Sequence, residues 1–196
     1  MRLEIHYKIA KKICGELKGF GIKLNETLFL FGNFFPDLIH SYFWCRHEYP
    51  VSRDYLHKKI ENLKKRPLFF SFQLGVLTHY ISDYFCYPHS RVYDKGILDH
   101  IKYEISQKAP EEFLKIRLNI KHFAVEELDK FVAWYEKFRP VFRDDEQDFH
   151  MAVLVSSGFL KAAYEWSPAE NLNNTMLFKD LFEWEGQYPA FNLISV

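Results

Sequence analysis

Cysteine is scarce in this 196-residue chain, which has only Cys14, Cys45 and Cys86, far apart in sequence. No two of them form a CxxC pair, so neither a disulfide framework nor a thiolate zinc knuckle is supported. An excess of basic charge is also missing, because 26 Lys and Arg balance 26 Asp and Glu. Proteins that hold duplex nucleic acid need that excess, since phosphate contacts dominate their affinity; no duplex partner is expected. The locally basic run from His57 to Arg66 reads as a solvated helix face. No uninterrupted apolar stretch reaches the roughly 18–20 residues that cross a bilayer, so no transmembrane segment is expected. Met1-Arg2-Leu3-Glu4-Ile5-His6 has neither an apolar core nor a small-residue cleavage site, so no signal peptide is expected there. Taken with the unpaired cysteines, this points to a reduced, cytoplasmic compartment. Alternating apolar and polar runs are absent too, which removes the usual sign of half-buried strands.

What is present is apolar and helical in period. Apolar residues make up 48% of the chain, with an unusual load of Phe and Tyr, which excludes disorder and suffices for one core. Ile5, Ile9, Ile13 and Leu17 form a first stripe that ends near Gly19 and Gly21. A second helix is predicted from Asn25, a good N-cap, to a stop before Pro36. Residues 32–50 read as an irregular, aromatic-rich connection, followed by a charged helix over 52–65 with Ser52 as cap. Residues 67–87 are apolar on nearly every face, the mark of a central buried helix. Further helices are predicted over 94–107, 122–138 and 145–165, with Pro140 and Pro168 closing the last two, and a short one near 176–184. The expected fold is all-α, a multi-helix bundle in one domain spanning 1–196.

Polar residues interrupt this apolar pattern in places where burial is expensive. His79 and Asp83 stand four apart on the central helix, so both leave the same face about one turn apart. His100 and Glu104 repeat the spacing, and the neighbouring stripe of Ile97, Ile101 and Ile105 predicts that they point inward. Between the two pairs lies His89, directly after Pro88. Burying so many ionisable groups costs several kcal/mol each unless something offsets it. A divalent cation does so directly, since imidazole nitrogen and carboxylate oxygen are its natural ligands. Nitrogen and oxygen donors suit zinc, iron, manganese or nickel, and the dominance of histidine favours zinc. A di-iron helical bundle would carry ExxH pairs, and an HD phosphohydrolase an adjacent His-Asp; neither occurs. Nor does a Ser-His-Asp order or a Gly-rich phosphate loop offer another mechanism.

The pattern His79-x3-Asp83-x5-His89-x10-His100-x3-Glu104 resembles the core signature of the zinc-dependent phospholipase C family. Gly32-Asn33-Phe34-Phe35-Pro36-Asp37 is similar to that family's Gly-Asn-x-x-Pro-Asp segment, whose aspartate binds metal. His47 resembles the histidine that follows it, and His6 the histidine of the family's first helix. The fungal single-strand nucleases share this fold and its trinuclear site. The resemblance implies one zinc held by Asp37, His47, His79 and Asp83, and a second held by His89, His100 and Glu104. Asp83 would bridge to a third ion beside His6. Asp37 would also take a proton from the attacking water. His40 and His57 are the substitutes for His47, whereas His122 and His150 fit no ligand spacing and read as structural.

The resemblance implies hydrolysis of a phospholipid or a small soluble phosphodiester by metal-activated water. A single-strand nuclease and a metal-binding protein without turnover are the alternatives. Phe34, Phe35, Tyr42, Phe43, Trp44 and Tyr49 could form a cation–π pocket for choline or platforms for stacked bases, or simply fill the core. In secreted relatives the third zinc is held partly by the amine and carbonyl of an N-terminal tryptophan, but no tryptophan precedes Trp44 here. On a continuous helix, five residues rise about 7–8 Å, which predicts that Met1 points away from His6. Two tight zinc sites are therefore expected, with a third, of His6, Asp83 and solvent, weak or empty.

Overall fold

Burial is continuous from Leu74 to Tyr84, so this segment meets protein on every side and forms the central helix of the bundle. In the computed structural model, residues 1–38, 47–63, 69–115, 118, 123, 125–142 and 145–165 are described. The α-helices are α1 (Leu3–Gly19), α2 (Glu26–Leu38), α3 (Tyr49–Leu63), α4 (Phe70–Tyr84), α5 (Ile97–Ser106), α6 (Glu111–Lys115), α7 (Val125–Phe142) and α8 (Asp145–Glu165). A 3₁₀ turn, Tyr87–His89, follows α4. No strand occurs among the described residues, so the all-α expectation holds. No described helix is long and apolar enough to cross a membrane.

Around α4 pack α1, α2, α3 and α8. The stripe Ile5, Ile9, Ile13 and Leu17 is buried as its period predicts. Helix α2 departs from expectation, running through Pro36 to Leu38 instead of stopping before it. Proline within a helix costs about 3 kcal/mol or more, but here it lies in the last turn and the α2–α4 contact is the most extensive in the bundle. That contact depends on two facing glycines. A Cβ on Gly32 would fall on the Phe72 carbonyl, and one on Gly75 would fall on the Phe29 carbonyl and 2.7 Å from the Asn33 nitrogen. These are backbone atoms in regular helices, with no rotamer to give way.

Other boundaries also shift. Residues 32–38 and 49–50, expected to be irregular, are helical, and Ser52 lies inside α3 instead of capping it. Its hydroxyl donates to the Glu48 carbonyl at 3.0 Å and pairs with Tyr84 Oη at 2.7 Å. Helix α7 passes Pro140 and ends at Phe142. The short helix α6 carried too few residues for its period to register. His40, Tyr42, Phe43, Trp44, Cys45, Lys64 to Arg66, His122, Pro168 and the 176–184 helix lie outside the described residues.

The glycine contact makes a sharp prediction. Gly75→Ala should destabilise the protein by about 3 kcal/mol or more, since overpacking here cannot relax through side chains. Gly15, in α1 with nothing within 4 Å of a built Cβ, provides the contrast, and Gly15→Ala should stabilise by about 0.5–1 kcal/mol. Denaturant titrations of both variants measure the difference, and equal effects would refute the close-approach account.

Candidate metal centre

The end of α4 and the turn after it organise the centre. His79 and Asp83 project from one face of α4, and both are fully buried. Beyond the helix, the Cys86 N–H donates to the Asp83 carbonyl (3.0 Å) and the His89 N–H to the Cys86 carbonyl (2.8 Å). This carries the chain round so that His89 returns toward Asp83. The turn is fixed from outside by Asp148 of α8, whose Oδ2 accepts from the Tyr87 N–H at 2.9 Å and also from Tyr103 Oη of α5. Its Oδ1 accepts from Tyr135 Oη (2.6 Å) and Arg139 Nε (2.5 Å). Glu136 of α7 holds Arg91, two residues past the turn, through its backbone N–H at 2.9 Å and its Nε at 2.7 Å. Helices α5, α7 and α8 thus position the second half of the centre.

Asn33 ties the first half together. With its nitrogen facing the His6 carbonyl at 3.1 Å, its oxygen accepts from the His79 backbone N–H at 3.3 Å. One buried amide therefore links α1, α2 and α4 behind the site, and Asp37 follows one turn later at the rim.

All eight predicted ligand residues come together. His79 Nε2 lies 3.3 Å from His47 Nδ1, 3.3 Å from Asp83 Oδ2 and 3.7 Å from Asp37 Oδ1. His47 Nδ1 lies 2.8 Å from Asp83 Oδ2 and 3.9 Å from Asp37 Oδ1. A tetrahedral zinc with bonds of about 2.0–2.2 Å holds its ligand atoms about 3.3–3.6 Å apart. The observed separations bracket that range. On the other oxygen of Asp83, His6 Nε2 approaches Oδ1 at 3.2 Å, and the His6 ring stacks on His79. His89 Nε2 and His100 Nε2 each lie 3.1 Å from Glu104 Oε1.

Hydrogen bonding leaves several of these atoms unsatisfied. His6 Nδ1 and Nε2, His79 Nδ1 and Asp83 Oδ2 are buried with no hydrogen bond of acceptable geometry. The close pairs are thus near one another without being aimed at one another, as donors converging on a shared ion would be. Orphaned buried polar groups are rare and costly, and divalent cations would satisfy them; the residues fit zinc.

Three features were not anticipated. The Met1 amine, expected to point away, is buried in the centre, 3.0 Å from Asp83 Oδ1, 3.0 Å from His89 Nε2 and 2.8 Å from Glu104 Oε1. The helical-rise estimate failed because α1 begins only at Leu3 and Arg2 is extended, with φ −69 and ψ 149. As an ammonium Met1 competes with a metal ion; as a neutral amine it is a nitrogen donor. Cys86 is the second, its Sγ grouped with donor atoms of His89 and Glu104 within 4.8 Å. The third is the orientation of α5. Ile97, Ile101 and Ile105 face solvent at 69%, 47% and 63% exposure, and the inward side instead carries His100, Tyr103 and Glu104, with Gln107 buried just past the helix.

The remaining candidates lie elsewhere. His57 faces Asp129 at 3.4 Å, and His150 lies tilted against the Phe113 ring. Of the aromatic group, Tyr49 packs on Tyr84 in the core, Phe35 packs against the exposed Phe31 and the partly buried Phe72, and Phe34 stacks with the exposed Tyr7.

The electrostatics follow from burial in a crowded cluster. Burial pushes Asp83 up, but the Met1 ammonium and the surrounding histidines hold its carboxyl well below the usual range. Burial and the neighbouring His6 hold His79 well below an ordinary histidine. For His47 burial acts downward and is outweighed by the Asp83 carboxylate, so its pKa is raised. Asp37 is raised by burial.

Residues 5–143 match a family model described as zinc dependent phospholipase C, well over half of the chain. No curated protein and no solved structure matches.

A raised His47 pKa has a definite sign. Without metal, the His47–Asp83 pair contributes stability that is fully present below the ordinary value of 6.5 and is lost as pH rises through the folded one. A zinc ion must displace that same proton, so zinc affinity should fall, by up to about tenfold per pH unit, from a pH above 6.5 downward. Competition titrations with a chromophoric chelator across pH measure this. Zinc-treated protein should also melt higher than chelated protein; identical melting and less than one equivalent of bound metal would remove the metal centre.

Proposed function

This chain belongs to the zinc-dependent phospholipase C family, and on that footing we propose that it hydrolyses the phosphodiester of a phospholipid. One observation carries the reading: Asp83 is shared between two groups of donors. Its Oδ2 joins His47, His79 and Asp37, while its Oδ1 faces His6 and the Met1 amine that in turn contacts His89 and Glu104. A cluster of cation positions gathered around one buried carboxylate suits in-line displacement at phosphorus. The first would be held by Asp37, His47, His79 and Asp83, the second by His89, His100 and Glu104. His6 and Asp83 remain the donors for a third, with the Met1 amine beside them. When bound there, zinc supplies Lewis acidity to water and to phosphoryl oxygen.

The chain's own groups do the rest. Asp83, fully buried, gathers His6, His47 and His79 about its two oxygens at 3.2, 2.8 and 3.3 Å. Asp37 is the most exposed of the first group, at 31% of its side chain. From that rim it accepts a proton from the attacking water and passes it to solvent. Its second oxygen stays free to orient the water, so the residue combines ligation with general-base work.

Exposed apolar residues support a phospholipid over a nucleic acid. Ile97, Leu98, Ile101 and Ile105 face solvent on the helix that also supplies His100 and Glu104. The balance of 26 basic and 26 acidic residues gives no electrostatic attraction for a polyanion. Free thiols at Cys14 and Cys86 support a reducing compartment.

Turnover of phosphatidylcholine vesicles, single-stranded RNA and a chromogenic phosphodiester, each with and without added zinc, tests the proposal. Zinc-dependent turnover of the vesicles is expected. Preference for RNA would mean a nuclease, and no turnover of any substrate by zinc-loaded protein would mean a binding protein. Asp37→Asn should lower turnover at least about a hundredfold, while metal at His89, His100 and Glu104 is retained. Unchanged activity in that variant would overturn the role given to Asp37.

A further inference from the structure

We propose that Cys86 is a thiolate ligand of the ion held at His89 and Glu104. This rests on the metal centre above but adds a donor of another chemical kind. Cys86 is fully buried and lies midway between Asp83 and His89, three residues from each. The backbone hydrogen bonds that join these three residues through the turn bring their side chains round to one side. Cys86 Sγ, a His89 ring nitrogen and a Glu104 carboxylate oxygen all lie within 4.8 Å of one another.

A buried cysteine most often acts as a small apolar filler. Cys86 borders the apolar core, but its sulfur also meets an imidazole, a carboxylate and an amide. The side chain of Gln107, itself buried, donates from Nε2 to Cys86 Sγ at 3.5 Å, and its Oε1 has no partner. An N–H directed at sulfur from behind is what a metal thiolate receives from its surroundings. On binding, the thiol proton leaves to solvent and the sulfur lone pair forms the bond to the ion; no electron transfer is involved.

This changes how the centre works. His89, His100 and Glu104 alone would leave a fourth position open, as at a catalytic ion. With Cys86 added, a charged sulfur donor joins His89 and Glu104 at that ion.

Cobalt(II) substitution decides the matter without reference to activity. A cobalt thiolate shows an intense sulfur-to-metal charge-transfer absorption in the near ultraviolet, whereas histidine and carboxylate ligands give only weak visible bands. The Cys14→Ser/Cys45→Ser double variant, with Cys86 as its sole thiol, should bind cobalt and show the intense band, and Cys86→Ser should lose that band while keeping the visible ones. Visible bands without the charge-transfer band in the double variant would overturn the proposal and leave the metal centre standing. A band that persists in Cys86→Ser would overturn it in favour of another thiol. Failure to bind any cobalt would overturn both. Should Cys86→Ser not fold, the double variant still decides.

Discussion

A carboxylate with no access to water cannot stay ionised unless cations or strong donors surround it, and Asp83 is in that position. It is fully buried at the end of the most buried helix, where the unrelieved charge would cost several kcal/mol. Much of the neighbouring architecture supplies partners to its two oxygens. Helix α1 brings His6 and the amine ahead of it to Oδ1, while His79 from α4 and His47, two residues before α3, reach Oδ2. Yet Oδ2 has no well-aligned hydrogen bond, and neither ring nitrogen of His6 has one. Protein groups alone leave the charge incompletely satisfied, which is why the cluster calls for cations.

The Gly-Asn-x-x-Pro-Asp segment now has a physical reading for each fixed residue but one. Gly32 allows the α2 backbone to touch α4 opposite Gly75. Asn33 uses its amide to bridge His6 and His79 across three helices. Asp37 reaches the rim because α2 continues one turn past Asn33. Nothing in the structure explains why Pro36 must be proline. The segment acts less as a loop that happens to hold a ligand than as the packing element that sets the distance between α1 and α4.

What was legible in the sequence was whatever depends on local period. The stripe of α1, the unbroken burial of α4 and the i, i+4 pairs at 79/83 and 100/104 follow from helix geometry alone. Reading failed where tertiary contacts override local preference. Pro36 and Pro140 did not end their helices, because a proline in a last turn forfeits little that packing cannot offset. The isoleucine stripe of α5 misled in the other direction. Three isoleucines at i, i+4 and i+8 normally mark the inward face, but here polar bonds from Tyr103 to Asp148 and Arg139 turn that face outward. A lone cysteine carries no spacing signal, and Cys86 is marked in the sequence only by its place three residues from both Asp83 and His89. The amine of Met1 could be placed only by knowing where α1 begins.

The outward isoleucines also bear on how a substrate would arrive. An enzyme acting on soluble diesters gains nothing from apolar side chains in water beside its metal ligands, and each such residue leaves unburied surface worth about 25 cal/mol per Å². Against a lipid aggregate the same side chains are an advantage, because the scissile phosphodiester lies just outside the acyl region that would take them up. Tyr103 and Gln107, by holding α5 with its histidine and glutamate inward, necessarily hold Ile97, Ile101 and Ile105 outward. The bonds that position one half of the metal centre therefore also keep the apolar face on the surface, so ligand geometry and exposed apolar surface are two consequences of a single orientation of one helix.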